Sequence, residues 1–152
     1  MPSKQILLVE DSPELHELTC LAWAGGGGRD DDIVWARDGQ QALEYLWAQG
    51  RHAGRDTREQ PALVILDMHL PSLSGLQVLR QLREHPLTEV IPVVMLTSSR
   101  EPEDLRACYR SGANGYVAKP VAFAQYRRNV ACLRDFWLGV NEPAPLSEAA
   151  AV

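Results

Sequence analysis

Five short runs of aliphatic residues, separated by segments with helical spacing, place the strongest limit on how this chain can fold. The runs are bounded by turn residues and cover residues 6–9, 33–35, 63–66, 90–96 and 116–117. Uninterrupted apolar runs of this length are typical of strands that are covered on both faces. Because alternating strands and helices favour right-handed parallel connections, the pattern predicts an α/β protein with an open parallel sheet.

Five helical segments alternate with these strands. The first begins at Pro13, with Ser12 as its N-cap, and ends at the glycines of residues 25–28. The other four show apolar residues at helical spacing and are predicted at residues 39–49, 74–84, 102–111 and 121–138. The segments between them, above all residues 25–32 and 50–60, are predicted to be polar loops.

Length and charge narrow the class of protein. A chain of 152 residues fits one domain, which we expect over residues 4–140, with a disordered tail over residues 141–152. The net charge of -5 argues against nucleic acid or an anionic membrane as the partner. The three cysteines suggest neither a disulfide framework nor a zinc site, and no apolar stretch has the length of a signal peptide or a membrane span. We therefore expect a cytoplasmic protein with a protein partner.

Polar side chains follow four of the predicted strands at the point where each strand ends. In open α/β sheets, ligands bind outside the carboxyl ends of the strands, so these residues should meet at one rim. Two carboxylates about 4 Å apart repel by about 4 kcal/mol at an effective dielectric of 20, and a bound cation would remove this cost. The rim residues are Glu10, Asp11, Asp67, Thr97, Ser98 and Lys119.

This set of side chains suits phosphoryl chemistry. Oxygen-only ligands favour Mg²⁺, Asp67 is a possible nucleophile, and Lys119 and Thr97 could share the charge of a phosphoryl group. Each residue also has an ordinary interpretation, as a loop carboxylate, a helix cap or a surface charge. The ordinary interpretation is weaker for the set as a whole, because four separate loops would have to bring these residue types to one rim by accident.

Four motifs resemble the response-regulator receiver family of two-component signalling, over residues 4 to about 138. They are Ile6-Leu-Leu-Val-Glu-Asp-Ser12, Ala62-Leu-Val-Ile-Leu-Asp-Met-His-Leu-Pro-Ser-Leu-Ser-Gly75, Pro92-Val-Val-Met-Leu-Thr-Ser98 and Gly112-Ala-Asn-Gly-Tyr-Val-Ala-Lys-Pro120. The resemblance implies a flavodoxin-like receiver fold, with strand order 2-1-3-4-5 and helices on both faces of the sheet.

The resemblance also implies a role for each rim residue. Asp67 would accept the phosphoryl group, and Thr97 and Lys119 would contact it. The expected Mg²⁺ ligands are Asp11, Asp67 and the backbone carbonyl of His69, with Glu10 assisting.

Tyr116 would be an aromatic switch that turns inward when Thr97 is drawn to the phosphoryl group. The alternative is a half-buried strand tyrosine without a regulatory role. The family also places a cis peptide at Lys119-Pro120.

Three finer features resemble the small receivers that partner bacterial phytochrome histidine kinases. They are the insertion at residues 50–60, the Thr-Ser-Ser run at residues 97–99 and the ending Asp135-Phe-Trp-Leu138. The expected partner is therefore a sensor histidine kinase of the bacteriophytochrome type. His69 and the acidic, glycine-rich loop at residues 25–32 depart from commoner versions of the family.

The last predicted helix carries an apolar seam that either packs on the sheet or meets a partner. Adjacent helix residues point about 100° apart, so Phe136 and Trp137 cannot both face one narrow seam. We therefore expect a homodimer through this helix, with an interface drawn from Phe123, Tyr126, Val130, Leu133, Phe136 and Trp137.

Three other functions compete with a phosphorylated switch. A phosphatase with an aspartyl nucleophile commonly has a second carboxylate where this chain has His69, and a flavodoxin-like cofactor binder would need a phosphate loop where Glu10 and Asp11 stand. A receiver-like docking module that is not phosphorylated would be expected to lack one of the rim residues, and none is missing. We expect a signalling switch that is not an enzyme, with a phosphorylation-independent interaction module or a phosphate sink as the alternative.

Overall fold

The structure is a computed structural model that describes residues 5–25, 27–29, 32–119 and 121–146. Its strands are β1 (Ile6–Val9), β2 (Ile33–Ala36), β3 (Leu63–Asp67), β4 (Val93–Thr97) and β5 (Gly115–Ala118). Its α-helices are α1 (Pro13–Gly25), α2 (Gly39–Leu46), α3 (Gly75–Glu84), α4 (Pro102–Arg110) and α5 (Phe123–Arg134). A 3₁₀ turn lies at Gly50–His52, and a π-helical segment, Asp135–Val140, continues α5.

The five strands form one parallel sheet in the order β2-β1-β3-β4-β5, which confirms the predicted fold and strand order. Alternate residues of each central strand point to opposite faces of the sheet. Leu7, Val9, Val64 and Leu66 pack with residues of α2, α3 and α4, whereas Ile6 and Leu8 pack with α1 and α5. Because β1, β3 and β4 are covered on both faces, their side chains are buried.

Two elements begin later than their apolar residues suggest. The prediction that the fourth strand begins at Val90 is wrong, since β4 begins at Val93. Pro92 has no N–H for a ladder, and the N–H of Ile91 is used in a turn with the Thr88 carbonyl. Helix α5 begins at Phe123 rather than at Val121, whose side chain is fully exposed.

The seam on α5 is divided between the core and the surface. Tyr126 and Val130 are buried in the chain's own core, and Leu133 and Trp137 are partly buried against the same cluster. Phe136 is 46% exposed and Phe123 is 41% exposed. Tyr126 and Val130 therefore have almost no surface to offer a second subunit, whereas the two phenylalanines do.

The described part of the chain contains no helix that is long and apolar enough to span a membrane. Residues 141–146, the first part of the predicted tail, form neither helix nor strand. The rest of that tail, residues 147–152, and Pro120 of the predicted cis peptide lie outside the described residues.

Candidate functional site

The carboxyl ends of β1, β3 and β5 bring together three of the residues predicted at the rim. The ammonium of Lys119 donates a hydrogen bond to Oδ2 of Asp67 at 2.8 Å. It also lies 3.6 Å from Oε2 of Glu10. Parallel neighbouring strands explain this arrangement, because all of them end at the same edge of the sheet.

Three carboxylates meet at this edge. Glu10, Asp11 and Asp67 each place one oxygen so that the three oxygens lie within 4.8 Å of one another. Glu10 and Asp67 are buried, whereas Asp11 is exposed. Lys119 contacts this cluster with one positive charge, and the cluster contains three carboxylates. Carboxylate oxygens are the ligands that hard divalent cations prefer.

The two carboxylate oxygens of Glu10 differ in their hydrogen bonding. Oε1 accepts a hydrogen bond from the N–H of Ser12 at 3.1 Å. Oε2 is buried and has no hydrogen-bond partner. A buried carboxylate oxygen without a hydrogen bond is costly even with the Lys119 ammonium 3.6 Å away, so a nearby cation would stabilise this atom.

The protonation of the site reflects this crowding. Burial, together with the negative charge of Asp67, raises the pKa of Glu10 to about 7, although the Ser12 N–H and the Lys119 charge act in the opposite direction. Burial alone would lower the pKa of Lys119, but the hydrogen bond to Asp67 and the charges of Asp67 and Glu10 outweigh it and raise that pKa. The ammonium therefore stays charged beside the Asp67 carboxylate.

Asp67 itself is held from two sides. It is 2% exposed, and while Oδ2 accepts from Lys119, Oδ1 accepts from the N–H of His69 at 3.1 Å. The His69 side chain is exposed. Hydrogen bonds from two sides therefore fix both oxygens of the Asp67 carboxylate.

Thr97 and Tyr116 meet at Ser99 rather than at Asp67. The Thr97 hydroxyl is buried, accepts a hydrogen bond from the Ser99 N–H at 3.2 Å and lies 4.0 Å from the sulfur of Met68. The Tyr116 hydroxyl donates to the Ser99 carbonyl. Both predicted switch residues therefore bind the main chain of the same residue in the loop between β4 and α4.

Three contacts at the site were not foreseen from the sequence. Ser12 was predicted as the α1 cap, which its hydroxyl is for the Leu15 N–H, but its own N–H also binds Glu10. Gly75 approaches Asp67 so closely that a Cβ there would lie 2.2 Å from the Asp67 carbonyl oxygen. The indole N–H of Trp35 donates to the Glu10 carbonyl at 2.7 Å. Gly75 could have been suspected because it ends the family motif at residues 62–75. Nothing in the local sequence indicates a contact for Trp35.

The fold and the site together define an open parallel α/β protein with an acidic, lysine-paired centre at the carboxyl ends of its strands. The family model of the response regulator receiver domain matches residues 6–131. The chain therefore belongs to the response regulator receiver family of two-component signalling.

Curated relatives of about the same length support this membership. The chain is 38% identical over 141 residues to the probable methanogenesis regulatory protein FilR2 of Methanothrix harundinacea, covering 92% of this chain and 88% of that protein. It is 33% identical over 137 residues to the response regulator Rcp1 of Synechocystis sp., covering 90% of each.

Solved structures show the same similarity in three dimensions. The phosphorylated cyanobacterial phytochrome response regulator RcpA has a TM-score of 0.82 and 30% identity, over 91% of this chain and 96% of RcpA. The Mn²⁺-bound form of Rcp1 has a TM-score of 0.80 and 30% identity, over 91% and 97%. The bacteriophytochrome response regulator RtBRR has a TM-score of 0.73 and 40% identity, over 99% and 89%.

Proposed function

We propose that this chain is a response regulator that accepts a phosphoryl group from a histidine kinase onto Asp67, in a Mg²⁺-dependent reaction, and signals through a change at its own surface. The observation that carries the proposal is the buried Asp67 carboxylate, which is bound to Lys119 at 2.8 Å and lies beside two further carboxylates. In this role the chain is a cytoplasmic switch and not an enzyme with a turnover of its own.

The residues present fit a divalent cation. The donors are all oxygens, three of them lie within 4.8 Å of one another, and the buried Oε2 of Glu10 has no donor. Asp11, Asp67 and the backbone carbonyl of His69 would hold Mg²⁺, with Glu10 assisting. The Mn²⁺-bound form of Rcp1 supports a divalent cation in this family. When bound, the cation supplies positive charge that offsets the phosphoryl oxygens.

The chemistry required of Asp67 is a displacement at phosphorus. A carboxylate oxygen of Asp67 forms the new bond, the P–N bond to the kinase histidine breaks, and the imidazole leaves with that electron pair. Lys119 holds the carboxylate in place at 2.8 Å and is positioned to balance charge on the transferred group. The phosphorylated state of RcpA supports the same reaction here.

The contacts of Ser99 suggest how the new charge reaches the surface. If the Thr97 hydroxyl turns to the phosphoryl group, the 3.2 Å hydrogen bond that it accepts from the Ser99 N–H breaks. The Ser99 carbonyl holds the Tyr116 hydroxyl, so movement of this loop releases the ring of Tyr116. Thr97 and Tyr116 would then act as one two-state element biased by phosphorylation.

The proposed partners are a bacteriophytochrome-type histidine kinase and a second copy of the chain. Two of the similar proteins, RcpA and RtBRR, are named as phytochrome or bacteriophytochrome response regulators, and Rcp1 is named as a response regulator. These names support the kinase partner. The exposed rings of Phe123 and Phe136 on the last helix and its continuation support a homodimer.

The first experiment is the intact mass of the protein after incubation with Mg²⁺ and a small acyl phosphate. We expect one phosphoryl adduct on the wild type and on Asp56→Asn, which changes an exposed carboxylate of the loop at residues 50–60. We expect no adduct on Asp67→Asn or in the presence of a chelator. No adduct in any sample would contradict the proposal and leave a phosphorylation-independent docking module.

A second measurement addresses the kinase. Phosphotransfer from an autophosphorylated bacteriophytochrome kinase should be at least tenfold faster than transfer from an unrelated histidine kinase. Equal rates from both kinases would contradict the phytochrome assignment while leaving Asp67 as the acceptor.

A further inference from the structure

Strand β2 binds both the N–H and the carbonyl of Glu10. Its N–H donates to the Ala36 carbonyl at 3.0 Å, and its carbonyl accepts from the indole N–H of Trp35 at 2.7 Å. The second bond involves a side chain and comes from the edge strand, 25 residues further along the chain. Since the Glu10 carbonyl belongs to the peptide unit that leads to Asp11, Trp35 acts on the link between two of the three carboxylates.

The direction of the Trp35 N–H is itself constrained by the neighbours of the ring. The imidazole of His16 stacks on the indole, with 3.8 Å between centroids and 6° between planes. The guanidinium carbon of Arg37 lies 4.5 Å from the centroid. His16 of α1 and Arg37, the residue after β2, therefore hold the plane of the indole, and within that plane the N–H points to the Glu10 carbonyl.

We propose that Trp35 is a positioning residue for the acidic site: by fixing the peptide between Glu10 and Asp11, it orients their carboxylates toward Asp67 and so sets the affinity for a divalent cation. This inference rests on the proposed function, because it concerns the metal of the same site. Groups that orient metal ligands from outside typically change metal affinity by about 10- to 100-fold when they are removed.

A purely structural role is the competing explanation. Trp35 is a half-buried residue of the edge strand β2, and losing its packing could lower stability without touching the cation site. The two roles differ in one measurable respect. A structural residue changes the unfolding of the protein, whereas a positioning residue changes cation affinity in the folded protein.

The sharpest variant replaces Trp35 by benzothienylalanine, which keeps the size and stacking of indole but has sulfur in place of the N–H. Mn²⁺ binding is measured from the electron paramagnetic resonance signal of the free ion, and unfolding is followed in the absence of metal. We expect Mn²⁺ binding that is about tenfold weaker than in the wild type. We also expect the rate of phosphorylation to recover to within about twofold at saturating Mg²⁺, because the nucleophile Asp67 is not altered.

The same replacement at Trp47 is the matched control. Its indole N–H faces the Thr88 hydroxyl at 3.4 Å, and its ring stacks on His85, outside the carboxylate site. This variant should bind Mn²⁺ like the wild type. Wild-type affinity in the Trp35 variant would overturn the inference alone, whereas a wild type that binds no Mn²⁺ would overturn the proposed function and the inference with it.

Discussion

Gly75, the first residue of α3, lies close to the main chain at the end of strand β3. A Cβ at this position would lie 2.2 Å from the Asp67 carbonyl oxygen and 2.8 Å from the Met68 Cα, both of them backbone atoms that cannot turn aside. We expect Gly75→Ala to lower the free energy of unfolding by about 2 kcal/mol or more, as measured by urea denaturation, and to slow the formation of the phosphoryl adduct.

Gly54→Ala is the control for this prediction. A Cβ at Gly54 would meet no atom within 4 Å, so the change in unfolding free energy should stay within about 0.5 kcal/mol. Equal effects of the two substitutions would show that the contact with Asp67 does not limit this position.

Glu10 should make the metal-free protein less stable at high pH. Its pKa of about 7 in the folded state lies above the ordinary value of 4.5, so the folded state binds the proton more tightly than the unfolded state. This contribution is favourable below pH 4.5 and is lost as the pH rises towards 7, by at most about 3 kcal/mol.

The Glu10→Gln variant tests this dependence. In chelator, thermal unfolding at pH 8 should show Glu10→Gln to be more stable than the wild type, with a much smaller difference at pH 5, because Gln carries no charge at either pH. A difference in melting temperature that does not change between these two pH values would contradict the buried, crowded state of Glu10.

Among the elements, α1 and α5 are joined by a buried hydrogen bond. The Thr19 hydroxyl donates to the Leu15 carbonyl at 2.7 Å, so the Tyr126 hydroxyl is the donor in the 2.6 Å bond between Tyr126 and Thr19. Burial is the main cause that raises the pKa of Tyr126 to about 12, and the ring stays neutral at every pH at which the fold is expected to be stable.

Replacing Tyr126 and replacing Thr19 should lower the free energy of unfolding by different amounts. Tyr126→Phe leaves Thr19 bonded to Leu15 and should cost about 1 kcal/mol, whereas Thr19→Val leaves a buried tyrosine hydroxyl without a partner and should cost about 1–3 kcal/mol. Denaturant unfolding of both variants and of the double variant gives the coupling energy. A larger loss for Tyr126→Phe would contradict the assigned direction of the hydrogen bond.

The elements also show where an apolar pattern is a poor guide to boundaries. The run at residues 90–96 reads as one strand, but β4 begins only at Val93, because Pro92 offers the Val64 N–H its carbonyl and has no N–H of its own to donate. At the other end of the fold, the last helix continues past Arg134 as a π-helical segment to Val140. Helical spacing predicts that the chain coils there and does not distinguish the two kinds of helix.

For the molecule as a whole, the open question is whether two copies associate through the last helix. Phe123 and Phe136 are the large aromatic groups that remain exposed along it, and the Phe136 ring packs edge-on against Trp137 at 4.8 Å. We expect sedimentation equilibrium to show a dimer that Phe136→Ser weakens by at least tenfold, since removing an exposed aromatic anchor from an interface is costly.

Leu21→Ser is the control for the dimer. Leu21 is 56% exposed on α1, so its replacement also removes a large apolar surface, but from a different helix than the one that carries the proposed interface. It should leave the association unchanged. A monomer mass for the wild type at high concentration, with and without phosphorylation, would contradict the dimer.

The sequence alone determined the class of fold and which charged side chains meet at the carboxyl edge of the sheet. Continuous apolar runs identified the strands, and alternation with helices made the sheet parallel, so Glu10, Asp67 and Lys119 had to come to one edge. These conclusions depend on local patterns and on chain connectivity, which a single sequence carries. The family resemblance added a predicted role for each residue.

Tertiary structure decided what each side chain does once it reaches that edge. The Lys119 to Asp67 bond joins residues 52 positions apart, and Trp35 reaches Glu10 across 25 positions. The burial of Tyr126 and the exposure of Phe136, both of which the sequence assigned to one dimer interface, were likewise decided by packing. Such contacts depend on how strands and helices pack in three dimensions, because a side chain's partners are set by its spatial neighbours and not by the residues beside it in the chain.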